Sequence, residues 1–422
     1  MTLFFNILSL SLFSALIWLL YKHYKDHPMQ SAMFVGMFLK VSSGLLLGVL
    51  YLHYYPSGDT WTYFSEATKL SELARGDVGS YLSALMDSQG RPLAMQFYNQ
   101  PRALFFVKIL SAVCLLTYDN YWLSSVYFSL FSFSGLWVLA NVLIRINNNK
   151  TAALIAFILF PSVLFWSSGI LKESIAIGSL AFLTASILQY SHRLKRLGVI
   201  WLLLDVLLIY LLWRTKYYYA GIFLLAVIPL ILTFVIKHWL SEMLSSARAQ
   251  ILLFITLSLV TLIGVSMLHP NFYFSRIIKV IVDNHDLMVA NSAYMDIIHF
   301  DELSTSISSI LKNTPLAFVS GLFRPFVGES TAPLKILIGL ENLVLLFLLI
   351  TSFFYFPKNI SDEARIYLFA LILYVVIMAI LLALSTPNFG TLTRYKVGFL
   401  PYLVYIISVE NGLVKRLNEK LF

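Results

Sequence analysis

A single cysteine, Cys114, occurs in 422 residues, so an internal disulfide and a cysteine-based metal site are both excluded. Charge is scarce too: Asp, Glu, Lys and Arg make up 12% of the chain, against roughly 25% in an ordinary soluble domain. The eight histidines form no HExxH or similar ligand spacing. There is no Walker-type phosphate loop, no GxGxxG before a helix and no GxSxG elbow, which argues against nucleotide chemistry in the cytoplasm. No Lys/Arg-rich block with interleaved aromatics appears. The net charge of +9 therefore suits basic cytoplasmic loops better than a nucleic-acid surface. Without Gly/Ser linkers, low-complexity tracts or a convincing internal repeat, residues 1–422 read as one transmembrane domain.

What fills the chain is apolar: 59% of residues are hydrophobic and the mean hydropathy is +0.80. Runs near the roughly 20 residues that cross a bilayer recur from end to end. Backbone groups in lipid must be satisfied internally, and these runs are too long and too uniformly apolar for barrel strands. The expectation is an all-α, polytopic helical membrane protein with about 11–12 membrane helices. Spans are expected near 3–21, 31–53, 121–144, 152–169, 175–190, 199–212, 218–236, 251–267, 334–356, 367–384 and 397–409. The first lacks a positive leader and a cleavage site and reads as a retained helix.

Two stretches break the pattern. Residues 54–101 form an external segment in which Trp61, Phe64, Ala67 and Leu70, then Tyr81, Leu82, Leu85 and Met86, recur at helical spacing, as in helices lying on a membrane surface. Residues 269–333 form a second, long external region. Between the spans lies Arg102–Thr117, apolar but short and interrupted by Lys108. If it does not cross, most basic loops fall on the cytoplasmic side and Asp59 falls outside, which satisfies the positive-inside rule.

On that topology the unusual polar residues gather externally. They are Asp59, Lys172-Glu173, Arg214 and Lys216 beside Tyr217–Tyr219, Arg324 within Gly321–Glu329, and Asn388, Arg394 and Lys396. Ionisable residues at membrane level are costly and mark sites. A Lys-Glu turn can also be a plain surface pair, and an Arg among aromatics an interfacial anchor. Asp283-Asn284-His285-Asp286 reads as a polar turn before it reads as an ion site.

Four features resemble the membrane-embedded C-type glycosyltransferases, which use polyprenyl-phosphate-linked sugars. They are Asp59 with Tyr63 four positions on; Gln100-Pro101-Arg102 entering a short apolar helix before the span from Trp122; a Pro161 span ending in an external turn with Glu173; and Arg394-Tyr395 ahead of Pro401. Such enzymes carry their acid after the first span, often as an Asp-Glu pair. Here an extra span precedes Asp59, and Thr60 follows it. Bacterial cell-envelope polysaccharide proteins, including polymerases, share the same features.

The resemblance implies an external-face transfer of sugar to a lipid-linked or envelope-glycan acceptor at a bacterial inner membrane. Asp59 would be the general base and Glu173 a second catalytic carboxylate, orienting the acceptor or keeping Lys172 charged. Arg324, Arg394 and Lys172 would hold the lipid phosphate, Arg214 would bind substrate, and Trp61 or Tyr63 would stack on a sugar. A divalent cation is the one cofactor left open, and no nucleic-acid partner is implied. An O-antigen-type polymerase and a lipid-linked-glycan flippase remain the alternatives.

Overall fold

A computed structural model describes residues 2–25, 28–55, 58–87, 95–97, 99–192, 194, 198–240, 242–355 and 362–422. It is 82% helical, and no strand occurs among the described residues. In chain order the helices are α1 (Thr2–His23), α2 (Gln30–His53), α3 (Asp59–Gly76), α4 (Val78–Met86), α5 (Pro101–Thr117) and α6 (Tyr121–Asn147). Then come α7 (Lys150–Leu154), α8 (Pro161–Trp166), α9 (Lys172–Ser191), α10 (Val199–Trp239), α11 (Ala247–Leu268) and α12 (Phe274–Ala290). The last six are α13 (Ile307–Phe323), α14 (Pro333–Phe354), α15 (Asp362–Ser385), α16 (Phe389–Lys396), α17 (Leu400–Val409) and α18 (Gly412–Leu421).

Seven of these are long and apolar enough to cross a membrane: α2, α6, α9, α10, α11, α14 and α15. The chain is thus an all-α polytopic membrane protein. The count falls below the expected 11–12 for local reasons. The run at 152–169 is divided: a π-helical turn covers Ile155–Leu159 and α8 begins afresh at Pro161, whose missing N–H cannot continue the ladder. The runs at 199–212 and 218–236 are two helical stretches that meet at a kink, Lys216 standing at φ −144°, ψ 71° between them, and they count once among the seven. The final run keeps ten helical residues, because Gly398 and Phe399 turn back to Tyr395 and Lys396. With 17 residues, α5 is about 25 Å long, short of the roughly 30 Å hydrocarbon core.

The chain divides into two compact units. Unit one is Met1–Asn148 with Phe157–Tyr217; unit two is Asn149–Ala156 with Tyr218–Phe422. Lipid tails are as apolar as leucine, so helices in a bilayer associate by close packing at small residues. Unit one does this where α6 meets α9: a Cβ on Gly135 would lie 2.4 Å from the Gly178 carbonyl oxygen. In the same unit, Tyr63, Leu70, Phe106, Leu110, Phe128 and Ile170 share one buried core. α3 belongs to this core: it buries Tyr63, Glu66, Ala67 and Leu70 on a single stripe and packs along α5.

Unit two repeats the device between α13 and α15, where a Cβ on Gly321 would approach the Ala379 carbonyl to 2.2 Å. The region at 269–333 is structured by α12 and α13, both packed on α15. Asparagines cap several of the helices: Asn388 accepts the Thr391 N–H at the start of α16, and Asn411 the Leu413 N–H at α18, satisfying donors that the helices leave open.

Candidate functional site

Polar side chains gather separately inside each unit. In unit one the first is Asp59, in the opening turn of α3 and half-buried. Gly58 precedes it as the cap, and the room for its Cβ is taken by the Tyr51 ring at 2.3 Å. Asp59 stands at the positive end of the α3 dipole, which favours its carboxylate. Tyr63 follows four residues later, so it shares the Asp59 face of the helix. It is buried, against Phe97 and Phe106 at 5.0 and 5.2 Å. The ammonium of Lys172 lies 5.1 Å from the Tyr63 ring centre, a cation–π seat. Glu66 continues the face; it is buried and accepts the Gln96 N–H at 2.9 Å.

Glu173 opens α9. Its carboxylate meets the Lys216 ammonium at 2.9 Å, with side-chain exposures of 0% and 3%. The break before α9 is itself fastened. Gly169 turns at φ +67°, its N–H donates to Ser129 Oγ at 2.9 Å, and its neighbourhood is filled by Gly44 and Ser125. Lys40, fully buried in α2, donates to Ser167 Oγ at 2.5 Å and to the carbonyls of Val163 and Leu164 at 3.3 Å. It therefore caps the negative end of α8.

A third group lies between α5 and α10. The Arg102 guanidinium is 5.2 Å from the Tyr217 ring, and that of Arg214 is 4.9 Å from Phe105 and 6.0 Å from Tyr210. Lys108, on the same face of α5, donates to the carbonyls of Leu85 and Asp87. Burial holds the Lys108 ammonium below its ordinary pKa; the Asp87 charge opposes this and the Arg214 charge adds to it.

Trp61 and Tyr63 are already engaged. Trp61 stacks on Tyr121 with ring centres 3.7 Å apart and planes 8° from parallel, and its indole N–H donates to the Gly48 carbonyl at 3.0 Å. Tyr63 is 1% exposed. Both rings pack within the protein and build the wall of this region.

In unit two, Arg324 Nε pairs with Glu329 at 3.1 Å and its guanidinium lies 5.9 Å from Phe326. Its carbonyl accepts from Lys396 Nζ at 3.2 Å, as does Asn342 Oδ1 at 3.2 Å. Burial pushes the Lys396 ammonium down to about 7, against the nearby charge of Glu341. Arg394 is 9% exposed, with its guanidinium 5.9 Å from the Tyr395 ring. Asn388 is bridged to Ile297 and donates to Ser292 at 2.8 Å, and Lys335 pairs with Asp296 at 2.5 Å. α16 is thus tied to the long region at 269–333.

Sequence reading singled out Asp59, Tyr63, Lys172, Glu173 and Arg214, and the structure sets all of them in unit one. It sets Arg324 and Arg394 in unit two, and it is Lys396 that reaches the Arg324 backbone. Arg102, Glu66 and Lys216 were undervalued. Lys216 had a signal in its position between two apolar runs; Arg102 had only its proline. Among the described residues no group of three His, Cys, Asp or Glu converges as a metal site. His285 Nδ1 contacts its neighbour Asp286 at 3.0 Å; the Asp283–Asp286 stretch, expected as a polar turn, lies inside α12. Compared with family models, curated proteins and solved structures, the chain matches none.

Proposed function

We propose that this protein is an integral-membrane glycosyltransferase that moves sugar from a polyprenyl-linked phosphate donor to an acceptor hydroxyl, on the external face of a bacterial inner membrane. The observation that carries the reading is Lys172, whose ammonium lies over the ring of Tyr63, the residue four positions after Asp59 on the same face of α3. A base and a cation are needed on either side of a glycosyl transfer, and Asp59 and Lys172 would supply them. Asp59 accepts the proton of the acceptor hydroxyl as its oxygen attacks the anomeric carbon. The anomeric C–O bond breaks, and the electron pair leaves on the lipid phosphate. Lys172 and Arg214 stabilise the charge that develops there. Glu173, sealed against Lys216, acts on position: it fixes the first turn of α9 and with it Lys172. A polymerase joining lipid-linked repeat units is the same chemistry with a longer acceptor.

The test is transfer of labelled sugar from a prenyl-phosphate donor in proteoliposomes. Asp59→Asn should lose transfer by about a hundredfold or more while inserting and melting like the parent. Full activity in that variant would remove Asp59 from the reaction.

One observation favours a second reading, a lipid-linked-glycan flippase. The helix interruptions at 155–171 and at Lys216, with a buried ion pair joining their neighbourhoods, are features that transporters use near their binding sites. Movement of a fluorescent lipid-linked glycan across the bilayer without any sugar transfer would establish it.

A further inference from the structure

α18 carries an apolar side that stays exposed among the described residues. Val414 is buried, and Asn418, one turn on, accepts from the Thr151 N–H at 3.0 Å and from its hydroxyl at 3.2 Å. Those two residues mark the face that docks on α7. Leu413, Leu417 and Leu421 recur every fourth residue beside it and are exposed, as is Phe422. Arg416 and Lys420, also four apart, are exposed along the other edge of the leucines. Lys415 stands away from them and pairs with Glu410, and Glu419 follows Lys415 by one turn. Around the helix run a docked strip, a leucine stripe, two cations and a back of mixed charge.

The contacts of α18 set the level at which it lies. At its start, Asn411 donates to the Leu348 carbonyl at 3.3 Å and to Thr351 Oγ1 at 2.8 Å, both in the last two turns of α14. A Cβ on Gly412 would stand 2.6 Å from the Tyr355 ring, just where that span ends. At the other end, the Lys150 ammonium in the first turn of α7 lies 4.7 Å from the Phe422 ring. Asn149, the cap of that turn, donates to the Val409 carbonyl at 2.8 Å, where α17 ends. A helix tied at both ends to the edge of the hydrocarbon runs along the headgroup layer. There an amphipathic helix seats its apolar side among acyl chains.

The cations decide which lipid. Basic side chains at a membrane surface attract anionic headgroups, and Arg416 and Lys420 border the leucines on the side away from the protein. Lys150 adds positive charge at the far end. We infer that α18 is a membrane-surface helix that binds anionic phospholipid, its leucines among the acyl chains and Arg416 and Lys420 on the headgroups. The surface lies in unit two, and none of its residues takes part in the transfer proposed above.

Lipid-borne quenching tests this. Full-length protein carrying Cys114→Ser and Leu417→Cys is labelled with a fluorophore and placed in phosphatidylcholine nanodiscs. The discs are doped with spin-labelled phosphatidylglycerol or spin-labelled phosphatidylcholine. Both lipids should quench, and phosphatidylglycerol should be preferred about tenfold. Arg416→Gln with Lys420→Gln should bring the preference near unity, while Lys415→Gln and Arg416→Lys should leave most of it. These side chains are exposed, so the variants should melt like the parent, and a label at Leu413→Cys should report the same ratios. Equal quenching by the two lipids overturns the anionic assignment, and undiminished preference in the double variant overturns the roles of Arg416 and Lys420. Quenching by aqueous iodide but by neither lipid overturns the membrane-surface placement. Protection from iodide and from both lipids would give the face to a second copy or another protein, and overturns it as well.

Discussion

Glu173 and Lys216 stand 2.9 Å apart, shielded almost completely, at the first turn of one membrane helix and the single non-helical residue of another. Burying two charges costs several kcal/mol each, and the pair recovers this only while both partners remain. Glu173→Leu or Lys216→Met alone should therefore cost about 3–5 kcal/mol. The double variant Glu173→Leu with Lys216→Met should recover most of that stability. Thermal melts of the three variants form a double-mutant cycle. Additive losses would show that the two side chains do not depend on each other.

Gly169 and Gly44 set a second test in the same unit. Gly169 adopts φ +67°, and a Cβ there would stand 3.0 Å from the Gly44 carbonyl. A Cβ on Gly44 would stand 2.2 Å from Ser129 Oγ and 2.9 Å from the Gly169 nitrogen. Gly169→Ala should lower stability by about 1–3 kcal/mol through strain and crowding. Gly76→Ala, with nothing within 4 Å of the added Cβ, should be neutral. Equal melting midpoints for the two variants would contradict the close approach.

Lys396 gives unit two a pH signature. Its folded pKa is about 7, below the ordinary 10.5, because it is buried. Between those values the unfolded chain binds a proton that the folded chain does not, so stability rises with pH. The contribution is full above about 10.5 and falls away as pH drops through about 7. The slope is at most one proton, about 1.4 kcal/mol per pH unit. Lys396→Met should abolish this rise in a series of melts. A parent whose midpoint falls over the same range would refute the assignment.

Much of the architecture was written in the hydropathy. α2, α6, α9, α11, α14 and α15 lie within a few residues of apolar runs, since a span needs only length and the absence of charge. Breaks were harder. Pro161 marked one and the polar residues between 212 and 218 marked another, where the helix kinks at Lys216, but the π-helical turn before Pro161 leaves no composition signature. The site was half legible. Asp59, Lys172 and Glu173 were visible as polar residues in apolar surroundings. That Glu173 would meet Lys216, or that Trp61 would lie flat on Tyr121, depends on which helices become neighbours, and local periodicity carries no information about that.

The ammonium of Lys40 has consequences for how the chain is made. Its acceptors, Val163, Leu164 and Ser167, emerge from the ribosome long after α2 does. Until they arrive, a lysine near the centre of α2 opposes partition into the bilayer by about 2.5–3.5 kcal/mol. A nascent chain ending before Pro161 holds that charge with none of these three acceptors. α8 removes that opposition when its carbonyls and Ser167 receive the Lys40 ammonium.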